Sequence, residues 1–196
     1  LGREALVVLP PVHTTRFAPS TEVDESLLIV SRLIPYKRID LAVRACTEAS
    51  LPLVVVGDGR DLHSLRRMAG PTVRFAGRVS DDEVRRLMAR CRAFVFPGEE
   101  DFGIAPVEAQ AAGRPVVAYA AGGALETVRD GETGVLFRES TVPSLRQALE
   151  RVTDMTIDPA RLVEHAAQFD ASVFRSKLRR AIELTIERAR APEAAA

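Results

Sequence analysis

The sequence alternates six short apolar runs with stretches that carry a helical pattern of apolar residues, and this alternation strongly constrains the fold. The runs are continuous and rich in β-branched residues, which is typical of strands buried on both faces of a parallel sheet. Six β-then-α units predict a doubly wound, Rossmann-like α/β fold with a six-stranded parallel sheet. The predicted strands lie at 27–30, 51–57, 73–77, 93–97, 115–119 and 133–137.

The segments on either side of the alternating region have a different character. Residues 1–25 contain one short apolar run followed by prolines, polar residues and acids, and they predict a linker that leads into the sheet. Residues 26–158 form the predicted Rossmann-like domain, and residues 159–190 predict extra C-terminal helices. Residues 191–196 predict a disordered tail.

Composition and charge exclude several classes of function. The 196 residues are 46% hydrophobic and 28% charged, as expected of a globular protein. The 27 Lys and Arg balance 27 Asp and Glu, so bulk charge attracts neither nucleic acid nor an anionic membrane. Cys46 and Cys91 are far apart and form no CxxC pair, so we expect no metal site and no disulfide framework.

Two cations follow the first predicted strand, in the stretch SRLIPYKRID. Ligands of open parallel sheets bind beyond the carboxyl ends of the strands, where Arg32 and Lys37 are expected to lie. Arginine offers a planar fork for phosphate oxygens and lysine a compact charge, so the pair suits a diphosphate. Two solvated surface cations are the alternative interpretation. Arg38 is expected to begin the following helix and to face solvent.

The next strands are followed by weaker signals. Gly57, in GDGRD, would let a backbone amide approach a ligand, although a simple turn is the plainer explanation. Val79, in GRVSDDE, offers a small apolar wall that a planar base could meet. Gly122 and Gly123 follow the fifth predicted strand and predict a helix start that could receive an anion.

The stretch FPGEEDFGIAPVEAQAAGRPVVAYAAGG, residues 96–123, brings acids, glycines and prolines together after the fourth predicted strand. Pro106 fits the first position of a helix that runs to about Ala112, which would place Glu108 in the first turn. The N-terminal amides of such a helix are donors for a phosphate or a sugar hydroxyl, and Gly103 would allow close approach. Glu100 lies in the preceding loop, so one carboxylate could face each end of a polyhydroxylated ligand. The alternative is that Glu108 only complements the helix dipole and that Glu100 is a solvated loop acid.

Together these stretches resemble the C-terminal, nucleotide-sugar-binding domain of the GT-B retaining glycosyltransferases of family four. The resemblance is dense over residues 27–137 and looser over residues 6–17. Its most specific part is the E-x7-E spacing of Glu100 and Glu108 around DFGIAPV, joined to AAGRPVVA and the Arg/Lys pair. The resemblance implies that the Rossmann-like fold is the C-terminal half of a GT-B fold.

The resemblance also implies roles for individual residues. Arg32 and Lys37 would grip the donor diphosphate and stabilise charge on the leaving group without a metal, and Glu100 would contact the donor sugar. Glu108 would bind the ribose, the backbone of residues 102–104 would line the sugar and phosphate, and Val79 would meet the base. The implied donor-binding residues are Gly57, Val79, Phe102, Gly103, Ile104 and Glu108.

A second domain is implied by the resemblance as well. Family members have an N-terminal domain that binds the acceptor and usually supplies a catalytic histidine. His13, His63 and His165 lack the context of that residue, and each is expected to be structural. The chain opens on Leu1, at a stretch that resembles an interdomain linker, so the N-terminal domain is an expected partner.

The last predicted helix carries an apolar stripe in which the residues are four apart. These residues are Phe174, Leu178, Ile182 and Ile186. The helix resembles the one that crosses back onto the N-terminal domain in the family. Without that domain the helix would fray, or its stripe would pack locally or pair with another copy in a homodimer.

The favoured function is that of the donor-binding half of a retaining glycosyltransferase, a hexosyltransferase whose isolated half binds donor without turnover. The expected donor is GDP-mannose, because residues 99–128 resemble mannosyltransferases that build surface polysaccharide; a UDP-sugar is the alternative. No separate cofactor is implied. We expect a cytoplasmic location, with any peripheral association at the inner face of the membrane arising through the full-length protein.

The residues leave two other functions open as alternatives. A non-catalytic nucleotide-sugar-binding or interaction module would use the same site without transfer. A dinucleotide-binding oxidoreductase domain would share the fold, but no G-x-G-x-x-G follows the first predicted strand, where Arg32 and Pro35 stand instead.

Overall fold

Six parallel strands form one sheet in the order β3-β2-β1-β4-β5-β6, the strand order of a doubly wound Rossmann-like fold. The computed structural model describes residues 5–190. Each predicted apolar run contains one strand, which confirms the predicted fold class. The strands are β1 (Leu27–Val30), β2 (Leu53–Val56), β3 (Val73–Gly77), β4 (Phe94–Phe96), β5 (Val116–Tyr119) and β6 (Gly134–Phe137).

Six helices follow the six strands in turn, and two more complete the described chain. Short 3-10 turns at Thr14–Arg16 and Pro35–Lys37 precede β1 and the first helix. The helices are α1 (Ile39–Glu48), α2 (Leu62–Met68), α3 (Asp81–Arg90), α4 (Ile104–Ala111), α5 (Ala124–Thr127), α6 (Val142–Asp154), α7 (Pro159–Ala167) and α8 (Ala171–Arg190). The tail predicted at 191–196 lies outside the described residues.

The apolar runs are continuous because both faces of the sheet are covered. In β1, Leu28 and Ile29 are each 1% exposed although they point to opposite faces. Ile29 packs with residues of α1 and α6, and Leu28 packs with residues of α3 and α4. Burying a leucine or isoleucine side chain contributes about 2 kcal/mol, so neither face tolerates a polar residue at little cost.

A third buried cluster joins the chain before the sheet to the helices after it. Its members are Val12, Phe102, Val107, Ala111, Ala166 and Phe169. The backbone N–H of Val12 donates to the Phe169 carbonyl at 2.9 Å, and the N–H of Ala171 donates to the Val12 carbonyl at 2.9 Å. The segment read as a linker is therefore anchored between α4 and the start of α8, while the boundaries at 25 and 158 stay predictions.

Helix α8 exposes the stripe that the sequence predicts. Leu178, Ile182 and Ile186 are 39%, 52% and 45% exposed. Within residues 5–190 every helix is too short or too polar to span a bilayer.

Candidate functional site

Two adjoining clefts lie beyond the carboxyl ends of β1 and β4, the strands at which the sheet order reverses direction. The first cleft has a volume of about 350 Å³ and lies between the residues after β1 and those after β4. The second has a volume of about 400 Å³ and lies between the 3-10 turn near Arg16, α3 and α4. Val30 and Ile104 line both clefts, so they form one elongated surface at the switch point where such folds bind ligands.

The first cleft brings together most of the candidate residues. Arg32 and Lys37 come from the loop after β1 and face the loop after β4 across the cleft. From that second loop come Glu100, Phe102, Gly103 and Ile104. Two loops that are distant in sequence thus converge at one rim, because neighbouring parallel strands end at the same edge of the sheet.

Lys37 and Glu100 form an ion pair between Nζ and Oε1 at the centre of the first cleft, with side chains only 17% and 21% exposed. Burial lowers the pKa of the Lys37 ammonium, and the charge of Arg32 lowers it further. The facing Glu100 carboxylate acts in the opposite direction by favouring the charged amine. Of the two cations, only Arg32 is an exposed side chain, so Lys37 does not fit the alternative of a solvated surface cation.

Helix α4 begins earlier than the sequence indicates. It starts at Ile104, with Gly103 as the N-cap at φ 85° and ψ 77°. The prediction that Pro106 is the first helical residue is therefore wrong, because a glycine in the left-handed region lets the chain turn into the helix sooner. Pro106 is the third residue, where a missing N–H is still tolerated. Glu108 accordingly lies in the second turn and not, as predicted, in the first.

Glu108 lines the second cleft and is partly buried there. Burial raises the pKa of its carboxyl; the nearby Arg16 opposes the rise and Asp81 adds to it. Arg16 pairs with Asp81 at 3.5 Å and lines the same cleft. Arg16 was missed at the level of sequence because its segment carries no periodic pattern and was read as a connector.

Two predicted donor-binding residues lie away from both clefts. A Cβ on Gly57 would stand 1.8 Å from the carbonyl oxygen of Ser31, so this glycine allows the loop after β2 to support the residue before Arg32. Val79 packs against the buried cluster on the Leu28 face of the sheet. Their predicted contacts with a donor stay predictions.

Close backbone packing holds the Glu100 loop in place. A Cβ on Gly123 would stand 2.2 Å from the Cα of Phe102, and the N–H of Gly123 donates to the Glu100 carbonyl at 2.8 Å. The predicted helix start after Gly122 and Gly123 is present as the four-residue α5. Because the Gly123 amide already donates to Glu100, the predicted anion contact there stays a prediction.

The sequence predicts that Arg38 faces solvent, but in the structure its side chain also contacts other residues. It precedes α1 in the left-handed region, with φ 51° and ψ 35°. Its side chain is 37% exposed and contacts both Asp40 and Ser140.

The three histidines are dispersed. His165 is buried in α7, with Nε2 3.2 Å from the Thr127 carbonyl oxygen, and burial lowers its pKa. His63 is exposed on α2, and His13 is exposed at the edge of the second cleft.

The sheet order defines a Rossmann-like domain, and the two clefts form one elongated surface at its switch point. The family described as "Glycosyl transferases group 1" matches residues 14–169. The chain is 34% identical, over 188 residues, to a GDP-mannose-dependent alpha-(1-6)-phosphatidylinositol monomannoside mannosyltransferase of Mycolicibacterium smegmatis, a match that covers 80% of this chain and 48% of that protein. The chain belongs to this glycosyltransferase family, and it spans about half the length of the curated relatives it matches.

Solved structures agree with this assignment of the fold. The lipopolysaccharide outer core galactosyltransferase WaaB in its apo form has a TM-score of 0.80 at 19% identity, over 92% of this chain and 56% of that chain. Anabaena Alr3699/HepE, crystallised in complex with UDP, has a TM-score of 0.70 at 26% identity, over 82% of this chain and 49% of that chain. The fold is that of GT-B glycosyltransferases, as the resemblance implied.

Proposed function

We propose that this chain is the donor-binding half of a retaining glycosyltransferase and that its donor is GDP-mannose. The observation that carries the proposal is the convergence of Arg32, Lys37, Glu100 and the N-terminus of α4 on one cleft. The adjoining cleft with Glu108 extends the surface and adds room for a nucleoside beside the diphosphate and sugar. The similarity to a GDP-mannose-dependent mannosyltransferase supports the choice of base and sugar.

The first cleft is suited to the diphosphate and the sugar. Arg32 and Lys37 would neutralise the diphosphate, and they would stabilise the charge that develops on it as the glycosidic bond breaks. The diphosphate would compete with Glu100 for the Lys37 ammonium. Glu100 would then be free to accept hydrogen bonds from the hydroxyl groups of the sugar.

The second cleft is suited to the nucleoside. The Glu108 carboxylate has two oxygens that can accept from the two vicinal ribose hydroxyls. Arg16, which now shares its charge with Asp81, lies beside Glu108 and is a further candidate for contact with the ligand. Transfer itself would need an acceptor site, which we assign to an N-terminal domain because the chain spans about half the length of its curated relatives.

Titration calorimetry of this chain with GDP, UDP and ADP tests the proposal. We expect GDP to bind more tightly than UDP or ADP. Replacing both Arg32 and Lys37 by alanine should weaken GDP binding about tenfold or more, because each hydrogen bond to a charged group contributes roughly 1.5–3 kcal/mol. A matched control, Arg44→Ala with Arg67→Ala, removes the same charge from exposed positions of α1 and α2 and should leave binding unchanged.

Three results would count against all or part of the proposal. If the folded protein binds none of the three nucleotides, the proposed site is wrong. If the control pair loses as much GDP affinity as the Arg32 and Lys37 pair, the effect is one of nonspecific charge. Tighter binding of UDP than of GDP would retain the donor site and overturn GDP-mannose.

A further inference from the structure

Arg38 adopts a backbone conformation that is unusual for a residue with a side chain. Within residues 5–190 only Arg38 and Ser50 combine a side chain with a positive φ, at 51° and 54°. Ser50 lies at the far end of α1, whereas Arg38 directly follows Lys37 of the candidate site. Such strain persists only where surrounding contacts impose it, and it is concentrated at functional sites.

The side chain of Arg38 supplies those contacts. Its Nη1 donates to Ser140 Oγ at 2.5 Å, and its Nε donates to Asp40 Oδ1 at 3.2 Å. Ser140 belongs to the loop between β6 and α6, and Asp40 lies in the first turn of α1. Arg38 therefore connects the turn after β1, which carries Lys37, to the loop after β6, three strands away in the sheet.

The same turn is also confined by the loop after β4. A Cβ on Gly98 would stand 2.7 Å from the Tyr36 carbonyl oxygen and 2.8 Å from the Lys37 Cα. Within the turn, the N–H of Lys37 donates to the Ile34 carbonyl at 3.1 Å, and the N–H of Arg38 donates to the Pro35 carbonyl at 3.0 Å. Because the Gly98 loop and the Arg38–Ser140 bond both hold this turn, the Lys37 backbone has little freedom to move.

From these contacts we infer that Arg38 is a positioning residue, whose bond to Ser140 holds the Lys37 ammonium in the first cleft opposite Glu100. This role rests on the proposed function for its purpose, since Lys37 is held where a donor diphosphate would lie. It is a role in geometry alone. The side chain of Arg38 points to Ser140 and Asp40, and Arg38 does not line the first cleft.

The chain offers a direct readout because Lys37 and Lys177 are its only lysines. Their amines can be labelled by reductive methylation with carbon-13 and titrated separately by NMR, with Lys177 on α8 as the internal reference. The charged and titratable groups near the Lys37 amine are Arg32, Glu100 and Asp101 in the cleft and the ring of Tyr36, over which Nζ lies 5.2 Å from the centroid. Arg38 and Glu99 add further charges from an adjoining cleft that Glu100 also lines, so Ser140→Ala, which keeps every charge, is the decisive variant. Burial and the charge of Arg32 lower the pKa of Lys37 overall, in spite of the facing Glu100 carboxylate, so release into solvent should raise it.

Four variants separate the side-chain bond from its surroundings. Ser140→Ala removes the acceptor and keeps the charge of Arg38, so any rise in the Lys37 pKa then reports release of the amine. Arg38→Gly removes the bond and keeps a backbone that accepts positive φ. Ser140→Thr retains a hydroxyl acceptor and should restore the wild-type value, and Ser50→Gly relieves the other positive φ far from the site.

We expect the Lys37 pKa to rise in Ser140→Ala and Arg38→Gly and to stay unchanged in Ser140→Thr and Ser50→Gly. We also expect the ratio of GDP affinity to GMP affinity to fall about threefold or more in the first two variants, because the second phosphate would lose a placed cation. An unchanged Lys37 pKa in Ser140→Ala would overturn the inference. If the wild-type chain binds neither nucleotide, the proposed function fails, and the lysine titration still decides the role of Arg38.

Discussion

Burial raises the pKa of the Glu108 carboxyl. The charged form that is proposed to bind the ribose therefore destabilises the folded protein. A folded-state pKa above the unfolded value means that the folded protein holds its proton more strongly. Stability is then lost as pH rises from the ordinary glutamate value of 4.5 through the raised folded value, and the full penalty persists above it. A neutral side chain at this position avoids the penalty.

We therefore predict that Glu108→Gln raises the melting temperature at pH 7, and that the gain disappears below pH 4.5. The same change should weaken GDP binding about tenfold, because a charged acceptor for the ribose hydroxyls is lost. Calorimetric melting between pH 4 and 8 and titration with GDP measure both effects. The exposed Glu126→Gln is the control and should change neither; a lower melting temperature for Glu108→Gln at pH 7 would contradict the argument.

Position 123 requires a glycine because it has no room for a side chain, and not because of its backbone conformation, since its φ of −66° suits any residue. We predict that Gly123→Ala destabilises the protein by about 1–3 kcal/mol, because the added Cβ would overlap the backbone of Phe102. Nucleotide binding should weaken as well, since the displaced loop carries Glu100. Urea unfolding and calorimetry measure the two losses. In Gly131→Ala the Cβ meets open space, so that variant should bear only a backbone cost and bind normally.

At the scale of the helices, Asp170 joins α8 to the start of the chain. Its Oδ1 accepts from the N–H and Oγ of Ser172 at 2.9 and 2.6 Å, and its Oδ2 accepts from Thr14 Oγ1 at 2.7 Å. The hydrogen bonds from Ser172, and then the one from Thr14, lower the pKa of Asp170 well below its ordinary value. A lowered folded pKa contributes stability above the unfolded value of 3.8, and that stability is lost as pH falls below it.

We predict that Asp170→Ala lowers the free energy of unfolding at pH 7 by about 1–2 kcal/mol, as expected for loss of a helix N-cap. The difference from wild type should shrink as pH falls below 3.8. Urea unfolding at pH 7 and pH 3 checks both statements. Asp158 caps α7 through Ala160 alone, at 2.9 Å, so Asp158→Ala should cost less. An equal loss at both positions would show that the hydroxyl bonds from Ser172 and Thr14 to Asp170 contribute nothing.

Helices and strands differ in how well the sequence predicts them. The strands could be placed because buried parallel strands need continuous apolar runs, and β1 coincides with LLIV. The start of α4 could not be placed from the sequence. Pro106 is a strong local signal for a helix start, whereas nothing in the sequence indicates that Gly103 adopts a positive φ. The contacts of Arg38 with Ser140 and of Arg16 with Asp81 depend on which strand ends are neighbours, and no local pattern encodes that.

For the molecule as a whole, the question is whether α7 and α8 are an appendage or part of one cooperative unit. Phe169 is 8% exposed at the end of α7, and its ring lies 5.8 Å from the ring of Phe102, which follows Glu100 in the candidate site. The two rings belong to the cluster that also includes Val12. Apolar packing of this kind joins the terminal helices to the loop that lines the first cleft.

We predict that wild type and Phe169→Ala each unfold in a single transition, and that the variant is less stable by about 3–5 kcal/mol. The whole transition should move, because the cavity lies in a core that α4 and α7 share. Differential scanning calorimetry with matched urea unfolding measures this, and Leu178→Ala on the exposed stripe should cost less than about 1 kcal/mol. Two separate transitions in the variant would mean that the terminal helices unfold on their own, and GDP binding would then survive their loss.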